Sequence, residues 1–186
     1  MLLVKPTINL RKEYMDYYNE WKNTGEASIP WLVETVPPHD FEYMIKTLNE
    51  FENGLHIPIK WLPSNSTYWA VDESNKIISV VNIRHKLTQK LFDFGGHIGY
   101  GICPSQRGKG LSKEVFNLSL KKANDLGIDE VLAVCHDNNI ASRRTLISCG
   151  GLEDSYRIDE NKNVLRRFWF IKGGNEFDSF ERQIQS

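Results

Sequence analysis

A turn rich in glycine and positive charge has the composition of an anion-binding site: residues 104–112 read Pro-Ser-Gln-Arg-Gly-Lys-Gly-Leu-Ser. It lies between an alternating pattern typical of a strand and an amphipathic pattern typical of a helix. Backbone N–H groups at a helix N-terminus lack partners inside the helix, and the helix dipole adds partial positive charge there. Gly108 and Gly110 let the backbone approach a bulky phosphate, while Arg107 and Lys109 add charge. The turn therefore predicts a site for a diphosphate-bearing cofactor.

Two other phosphate-binding motifs do not fit this sequence. The G-x-x-x-x-G-K-[ST] spacing of a nucleotide-binding P-loop is absent. The glycines at 96, 99 and 101 lie inside a strand pattern and in the wrong order for a dinucleotide fingerprint. An ordinary glycine-rich connection between a strand and a helix stays open as the alternative to a binding site.

Periodicity predicts the elements that hold this turn in place. The stretch 97–103 alternates as a strand, with one face formed by His97, Gly99, Gly101 and Cys103 and the other by Ile98, Tyr100 and Ile102. The helix after the turn ends at Gly127. Val131–Cys135 is an apolar run typical of a strand buried on both faces, and Asn138 and Asn139 begin a helix that ends at Gly150. A parallel, right-handed crossover between these two strands is expected.

The rest of the chain supplies further strands and helices. Strands are predicted at 2–7, 67–71, 76–84, 152–158 and 164–171, helices from Asn9 and about Asp40, a loop over 25–38, and a connection of undefined structure over 86–96. The resulting order is β–α–α–β–β–β–α–β–α–β–β. We expect an α/β fold with a mixed central sheet of about seven strands flanked by about four helices. Residues 1–172 are expected to form a single domain, and 173–186 a polar C-terminal tail.

Composition excludes several classes of function. Of 186 residues, 40% are hydrophobic and 25% charged, as in a globular protein. The formal net charge of −1 and the absence of a basic run argue against a nucleic-acid partner. No stretch approaches the roughly 20 apolar residues that a membrane span needs. Three cysteines without CxxC spacing suggest reduced, buried thiols and a cytoplasmic location. Five scattered histidines indicate no metal site.

Two segments resemble the GNAT superfamily of acetyl-coenzyme A-dependent acyltransferases. Arg107–Ser112 fits the family's Q/R-x-x-G-x-G/A loop, with Ser112 in place of the final Gly or Ala. Asp137–Ser142, followed by Cys149-Gly150-Gly151, resembles the later Asn-containing helix start and closing glycine of the family. Gly96–Ile102 is similar to the fourth strand of a group of bacterial members with poorly defined substrates. The order of elements matches over nearly the whole chain.

This resemblance implies a set of cofactor contacts. Acetyl-coenzyme A (acetyl-CoA) would be the cosubstrate, with its pantetheine arm inserted between a splayed fourth and fifth strand. A backbone amide near Ile102 or Cys103 would polarise the thioester carbonyl. Asn139 would bond to the pantetheine arm and cap its helix, with Ser142 nearby. The diphosphate would be held by the loop, that is, by Arg107, Gly108, Lys109, Gly110, Leu111 and Ser112.

The acid and the base of the reaction are less well defined. Many relatives place a Tyr four residues after the position of Ser142 to protonate the departing thiolate, but this chain has Leu146 there. Tyr100 is one substitute, and unaided departure of the thiolate is another. His97 is the first candidate for the base, since it lies on the glycine face of the fourth strand and imidazole titrates near neutrality. An ordinary half-buried histidine is the alternative.

Other polar residues are weaker candidates. His136 and Asp137 are second choices for the base. Arg84 and His85, at the end of the third strand, would face either an acidic substrate group or solvent. Arg143 and Arg144 would reach the ribose phosphate of the cofactor or form a solvated helix face.

We expect an acetyltransferase that moves an acetyl group from acetyl-CoA directly to an amine of a small molecule or peptide. The competing hypothesis is an acyl-CoA-binding sensor or interaction module without chemistry. Neither hypothesis involves nucleic acid or a membrane. A monomer or a homodimer is expected.

Overall fold

The structure is a computed structural model that describes residues 1–26 and 30–173. In it the strands form two antiparallel sheets, and helices cover both faces. The elements in chain order are β1 (Leu2–Val4), α1 (Arg11–Thr24), α2 (Leu32–Thr35), α3 (Phe41–Glu52), β2 (Asn65–Val71), β3 (Ile77–Arg84), α4 (Gln89–Phe94), β4 (Ile98–Ile102), α5 (Leu111–Asp125), β5 (Glu130–His136), α6 (Ile140–Ser148), β6 (Leu152–Glu153), β7 (Arg157–Ile158) and β8 (Val164–Ile171). Short 3-10 turns occupy Ile8–Leu10 and Pro104–Gln106.

The first sheet has the order β1-β2-β3-β4, and the second has the order β5-β8-β6, with β7 also pairing with β8. The two sheets meet at β4 and β5, which share a single isolated bridge between Gly96 and Ala133. The α/β fold class with splayed fourth and fifth strands is therefore confirmed. The parallel pairing expected between these strands does not form a ladder, and every ladder among the described strands is antiparallel.

Two hydrophobic cores lie on opposite faces of the sheets. Phe116 of α5 packs against Tyr100 and Phe170, with ring centroids 5.8 and 5.0 Å apart, and anchors the core under α5 and α6. On the other face, Tyr14 of α1 stacks on Trp69 at 4.7 Å. Side chains of β4 alternate between the two cores. This strand therefore has one face toward α5 and one toward α1.

Helix starts account for two departures from the predicted boundaries. The side chain of Thr7, and not Asn9, caps the first turn by accepting from the Asn9 N–H at 3.4 Å, and α1 begins at Arg11. The connection at 86–96 contains α4, whose N-terminus is capped by the Thr88 hydroxyl. Both caps are single side-chain contacts, which periodicity does not reveal.

The strands also differ in length from their predictions. β1 ends at Val4, since Pro6 has no N–H to donate to a ladder. The predicted strand at 152–158 is two short strands, β6 and β7, which both pair with β8, and the Asp154 N–H between them donates to the Arg167 carbonyl at 2.9 Å. The predicted loop at 25–38 contains α2. Apart from residue 173, the predicted C-terminal tail lies outside the described residues.

Candidate active site

The splay between β4 and β5 begins at Gly96. Gly96 has φ +66°, and a Cβ there would lie 2.5 Å from the Leu132 carbonyl oxygen, so the two strands meet at a distance that needs glycine. The His97 N–H donates to the same Leu132 oxygen at 2.7 Å. Beyond this point β4 and β5 share no ladder among the described residues. The opening therefore widens toward the C-terminal end of β4 and the turn that follows.

A cavity of about 370 Å³ occupies the opening. Most of the predicted cofactor residues line it, and so does Tyr100. The wall consists of Trp21, Glu26, Tyr100, Gly101, Ile102, Gln106, Arg107, Gly108, Gly110, Leu111, Ser112, Asn139, Ala141, Ser142 and Thr145. Of the predicted site residues, His97, Cys103 and Lys109 are not part of this wall. Lys109 bonds instead to Gln106 at 3.0 Å along the outside of the turn.

The turn before α5 presents backbone amides to this cavity. Arg107 N–H bonds to the Pro104 carbonyl at 3.2 Å, and among the described residues no backbone carbonyl outside the regular elements accepts from the amides of Gly108 and Gly110. Gly110 precedes the helix in the left-handed conformation, with φ +75° and no side-chain cap. A Cβ at Gly108 or Gly110 would meet nothing within 4 Å, so both glycines border open space. The arrangement can hold a doubly charged anion.

Arg107 forms a fork-like ion pair with Glu26, at 3.0 and 2.9 Å. Its guanidinium also lies 4.8 Å from the ring of Trp21. The pairing lowers the pKa of Glu26 and raises the pKa of Arg107. Glu26 therefore holds the Arg107 guanidinium near Trp21 of α1. A bound diphosphate would have to compete with Glu26 for this guanidinium.

The two candidate amides for the thioester differ in availability. Cys103 N–H donates to the Ile78 carbonyl of β3 at 2.8 Å, and its side chain faces the core under α1. The prediction that the Cys103 amide could polarise the thioester carbonyl is therefore wrong, because this amide is already bonded. Successive N–H groups of a strand point to opposite sides. Ile102 N–H thus faces the open edge toward β5.

The start of α6 adds hydroxyl groups to the wall. Asn139 caps the helix, its Oδ1 accepting from Ser142 N–H at 3.0 Å. Thr145 Oγ1 lies 3.0 Å from Ser112 Oγ and donates to the Ala141 carbonyl at 2.9 Å. This contact joins the first turn of α5 to α6. The capping role expected of Asn139 is present in the structure.

Tyr100 brings a phenol to the same cluster. Burial raises its pKa to about 12, although hydrogen bonds with Thr145 and Ser142 act in the opposite direction. The phenol is consequently protonated at neutral pH and is a hydrogen-bond donor. Leu146, at the position where many relatives have Tyr, is 1% exposed and packs in the core.

His97 does not reach the cavity. Its ring is buried, and Nδ1 accepts from the Leu132 N–H at 3.0 Å. Burial and the nearby Arg84 lower its pKa to about 4. A neutral ring whose Nδ1 accepts carries its proton on Nε2, so it has no lone pair left for a substrate. The structure therefore contradicts a general-base role for His97, which instead joins the start of β4 to β5.

The second choices for a base also lack a place in the cavity wall. Asp137 accepts from Arg166 Nε at 2.7 Å, and Arg143 Nη1 lies 3.9 Å from it. His136 is exposed at the end of β5. Arg143 pairs with Glu153 at 3.2 Å. These contacts tie β5, α6 and β8 together and do not assemble a catalytic group.

Arg84 is not the solvated strand end that one interpretation expected. It is 6% exposed and lies on the α1 side of the sheet, against Gly99. His85 is half-buried, with Nε2 2.8 Å from Ser66 Oγ, and burial lowers its pKa. Ser66 in turn donates to Glu52 at 3.0 Å.

Sequence patterns missed several wall residues, among them Trp21, Glu26 and Thr145. Trp21 has the spacing of a core residue of α1, which it also is. Glu26 follows the end of that helix, far from the turn in sequence. Thr145 is adjacent to Leu146, and its hydroxyl is the feature from which a polar position in the cavity wall could have been predicted. Within the described residues, no cluster of His, Cys, Asp or Glu could hold a metal ion. None of the described helices is long and apolar enough to cross a bilayer.

Comparison with known proteins identifies the family. Residues 2–151 match the model of the acetyltransferase (GNAT) domain. Protein MGF 505-5R of African swine fever virus (strain Badajoz 1971 Vero-adapted) is 24% identical over 170 residues, which cover 77% of this chain and 33% of that protein. The chain thus spans about a third of the length of this curated relative.

Solved structures share the fold. The microcin C7 self-immunity acetyltransferase MccE, determined with acetyl-CoA and AMP, matches with a TM-score of 0.63 and 17% identity over 91% of each chain. The dodecameric spermidine N-acetyltransferase of Vibrio cholerae matches with a TM-score of 0.58 and 15% identity over 92% of each chain. At these identities the likeness is one of fold.

Proposed function

Because this chain belongs to the GNAT acetyltransferase family, we propose that it transfers an acetyl group from acetyl-CoA to the amine of a small molecule or peptide. Transfer is direct, in a ternary complex. The amine nitrogen attacks the thioester carbonyl, the carbon–sulfur bond breaks, and the acetyl group leaves as an amide with the acceptor. The proton lost by the amine balances the charge on the departing thiolate.

One observation carries this proposal: unpartnered amides and the open edge of β4 border the same cavity. The amides of Gly108 to Ser112 bind the diphosphate at the mouth of the opening, where α5 begins. Ile102 N–H faces inward from the open strand edge and polarises the thioester carbonyl. The Oδ1 of Asn139 caps α6, and its side-chain NH₂ donates a hydrogen bond to the pantetheine arm. Hydrogen bonds to charged groups contribute roughly 1.5–3 kcal/mol each, so several amides together suffice for micromolar affinity.

Tyr100 stabilises the leaving sulfur. Its phenol lies in the wall beside Ser142 and Thr145, where Leu146 supplies no hydroxyl. Since its pKa of about 12 exceeds the value of about 8.5 for an ordinary thiol, the phenol donates a hydrogen bond and keeps its proton. A thiolate is a fair leaving group and needs no more than this.

The acceptor amine arrives neutral. The one carboxylate in the described cavity wall, Glu26, is paired with Arg107, and no imidazole is part of that wall. Deprotonation by solvent therefore precedes attack. The acetylation rate is expected to rise with pH up to the pKa of the acceptor amine.

A second candidate function is an acyl-CoA sensor without turnover. The buried ring of His97, whose Nδ1 accepts from the Leu132 N–H, and the apolar side chain of Leu146 favour it, because they leave the site without the usual base and acid. Both candidates need the same cofactor contacts. They differ in whether an amine enters the site and is acetylated there.

Titration calorimetry with acetyl-CoA, followed by a thiol-release assay over a panel of amines, tests the two candidates. Micromolar binding with steady thiol release supports the acetyltransferase. Binding without release for every amine favours the sensor. Absence of binding up to millimolar acetyl-CoA would contradict both.

A further inference from the structure

Arg84 is a buried cation without a counter-charge. It is 6% exposed, and no carboxylate of the described residues forms an ion pair with it. Its Nη1 donates to the carbonyls of Gly95 and Gly96 over 3.3 and 3.4 Å, and its Nε has no partner. By contrast, Arg167, which is also buried, has Asp154 at 3.2 Å. An uncompensated buried guanidinium is destabilising unless something else pairs with it.

Gly99 lets this guanidinium lie against the backbone of β4. A Cβ at position 99 would lie 2.9 Å from Arg84 Nη2 and 3.3 Å from Cζ, so the planar group lies against bare backbone. The next two residues of β4, Tyr100 and Gly101, line the cofactor cavity. Since side chains alternate along a strand, Arg84 is on the opposite face of β4 from the Tyr100 phenol. Arg84 therefore lies on the α1 face of β4, and this is the face on which we place the acceptor.

Asn82 adds an unpaired acceptor to the same face. It lies two residues before Arg84 on β3 and opposite Gly99 in the ladder. Its Nδ2 donates to Asn65 Oδ1 at 2.7 Å and to Thr67 Oγ1 at 3.3 Å, which fixes the orientation of the amide. The 1% exposed side chain leaves Oδ1 buried without a donor. Arg84 and Asn82 thus offer one cationic donor and one acceptor.

We propose that the acetyl acceptor is a small primary amine that also carries an oxyanion, held by Arg84, while Asn82 accepts an N–H of the amine. The oxyanion is a carboxylate or a phosphonate, both of which match the guanidinium fork. This inference rests on the proposed function and names its substrate class. A polyamine does not fit, because an uncompensated guanidinium repels a second cation.

Binding measurements test the inference without requiring turnover. Calorimetry compares alanine, leucine and phenylalanine with the amines left when the carboxylate of each is removed, with 1-aminoethylphosphonate and spermidine as further probes. Each is titrated into the protein alone and with coenzyme A present. At least one oxyanion-bearing amine should bind at least 100-fold more tightly than its partner without the anion.

Variants separate recognition from folding. Arg84→Gln should weaken that binding about 100-fold and leave acetyl-CoA affinity unchanged, whereas Arg11→Gln, at an exposed position of α1, should change neither. Gly99→Ala adds a Cβ that displaces the guanidinium, and should lower the same affinity without removing a charge. Thermal melting checks that each variant is folded.

The outcomes distinguish this inference from the proposed function. If the wild-type protein did not bind acetyl-CoA, the proposed function would be contradicted, while the amine titrations would still decide the role of Arg84. Equal binding of amines with and without the anion, binding of none of the anionic amines, or tightest binding of spermidine would overturn the substrate class. So would a folded Arg84→Gln protein with unchanged anionic-amine affinity, which would leave Arg84 a structural partner of the Gly95 and Gly96 carbonyls.

Discussion

The two faces of β4 are built from different materials. The cavity between β4 and β5 is bordered toward α5 and α6 by backbone amides, glycines and small hydroxyls, and much of its wall comes from one contiguous turn at 106–112, while Trp21 and Glu26 close it from the α1 side. On the α1 side, Arg84, Asn82 and His97 are buried side chains that two strands bring together through their register. A site made of backbone depends on a short motif. A site made of buried side chains depends on the whole sheet, so a change to one face should leave the other intact.

The largest effect expected is on the backbone-built face. Gly110→Arg places a long side chain in open space at the mouth of the cavity, where the diphosphate would lie. Acetyl-CoA affinity should fall by more than about 1,000-fold, since several charged-group hydrogen bonds are lost together. Gly127→Arg is the matched control: Gly127 also has positive φ and nothing within 4 Å, but it ends α5 away from the cavity. Calorimetry with both variants checks the result, and equal affinities would remove the turn from the site.

The second prediction concerns His97 on the other face. Its pKa of about 4 in the folded protein is below the ordinary value of 6.5, so the unfolded chain binds more protons between these values. The stability contributed by keeping the ring neutral is present above about pH 6.5 and is lost as pH falls toward 4, by up to about 3 kcal/mol. Urea unfolding at several pH values should show a steeper acid loss for the wild type than for His97→Gln.

The control for this comparison is His39→Gln, at an exposed position for which the wild-type pH dependence should be retained. Near neutral pH, His97→Gln should also leave the pH dependence of acetyl transfer unaltered. A rate profile that loses an ionisation in this variant would restore His97 as the base.

Tyr100→Phe should give a smaller effect, confined to chemistry. Removal of one hydrogen bond to the departing thiolate, worth about 2 kcal/mol, lowers kcat roughly 30-fold. Acetyl-CoA affinity should stay within about twofold, because the ring still packs against Phe116. Steady-state kinetics measures both quantities. Tyr43→Phe, on the exposed side of α3, is the control, and a Tyr100→Phe enzyme as fast as wild type would mean that the thiolate leaves unaided.

The smallest effect is expected at the ion pair between Arg107 and Glu26. Glu26→Gln removes the carboxylate that pairs with this arginine, so acetyl-CoA should bind about threefold more tightly. The gain should shrink as salt screens the charges. Calorimetry at two salt concentrations measures it, with Glu73→Gln in the β2–β3 turn as control. Weaker binding in Glu26→Gln would mean that Glu26 positions Arg107 for the cofactor.

Most of the cofactor residues expected from the sequence line the cavity, whereas the buried side chains of the other face were not assigned correctly. The glycine spacing at 108 and 110 and the Asn139 cap are local features, so the sequence alone locates the elements at the cavity mouth. His97 could not be assigned, because its buried environment is created by Leu132, 35 residues away. Arg84 was ambiguous for the same reason: its burial depends on Gly99 and on α4, a helix that the pattern at 86–96 did not reveal.

The proposed chemistry depends above all on the amides at 108–112 holding the diphosphate of acetyl-CoA in the opening between β4 and β5. A crystal structure of the protein with acetyl-CoA is the decisive measurement. We expect diphosphate oxygens about 3 Å from these amides and the thioester carbonyl beside Ile102 N–H. A cofactor bound elsewhere, or a diphosphate that touches side chains while the amides stay unbonded, would contradict this arrangement.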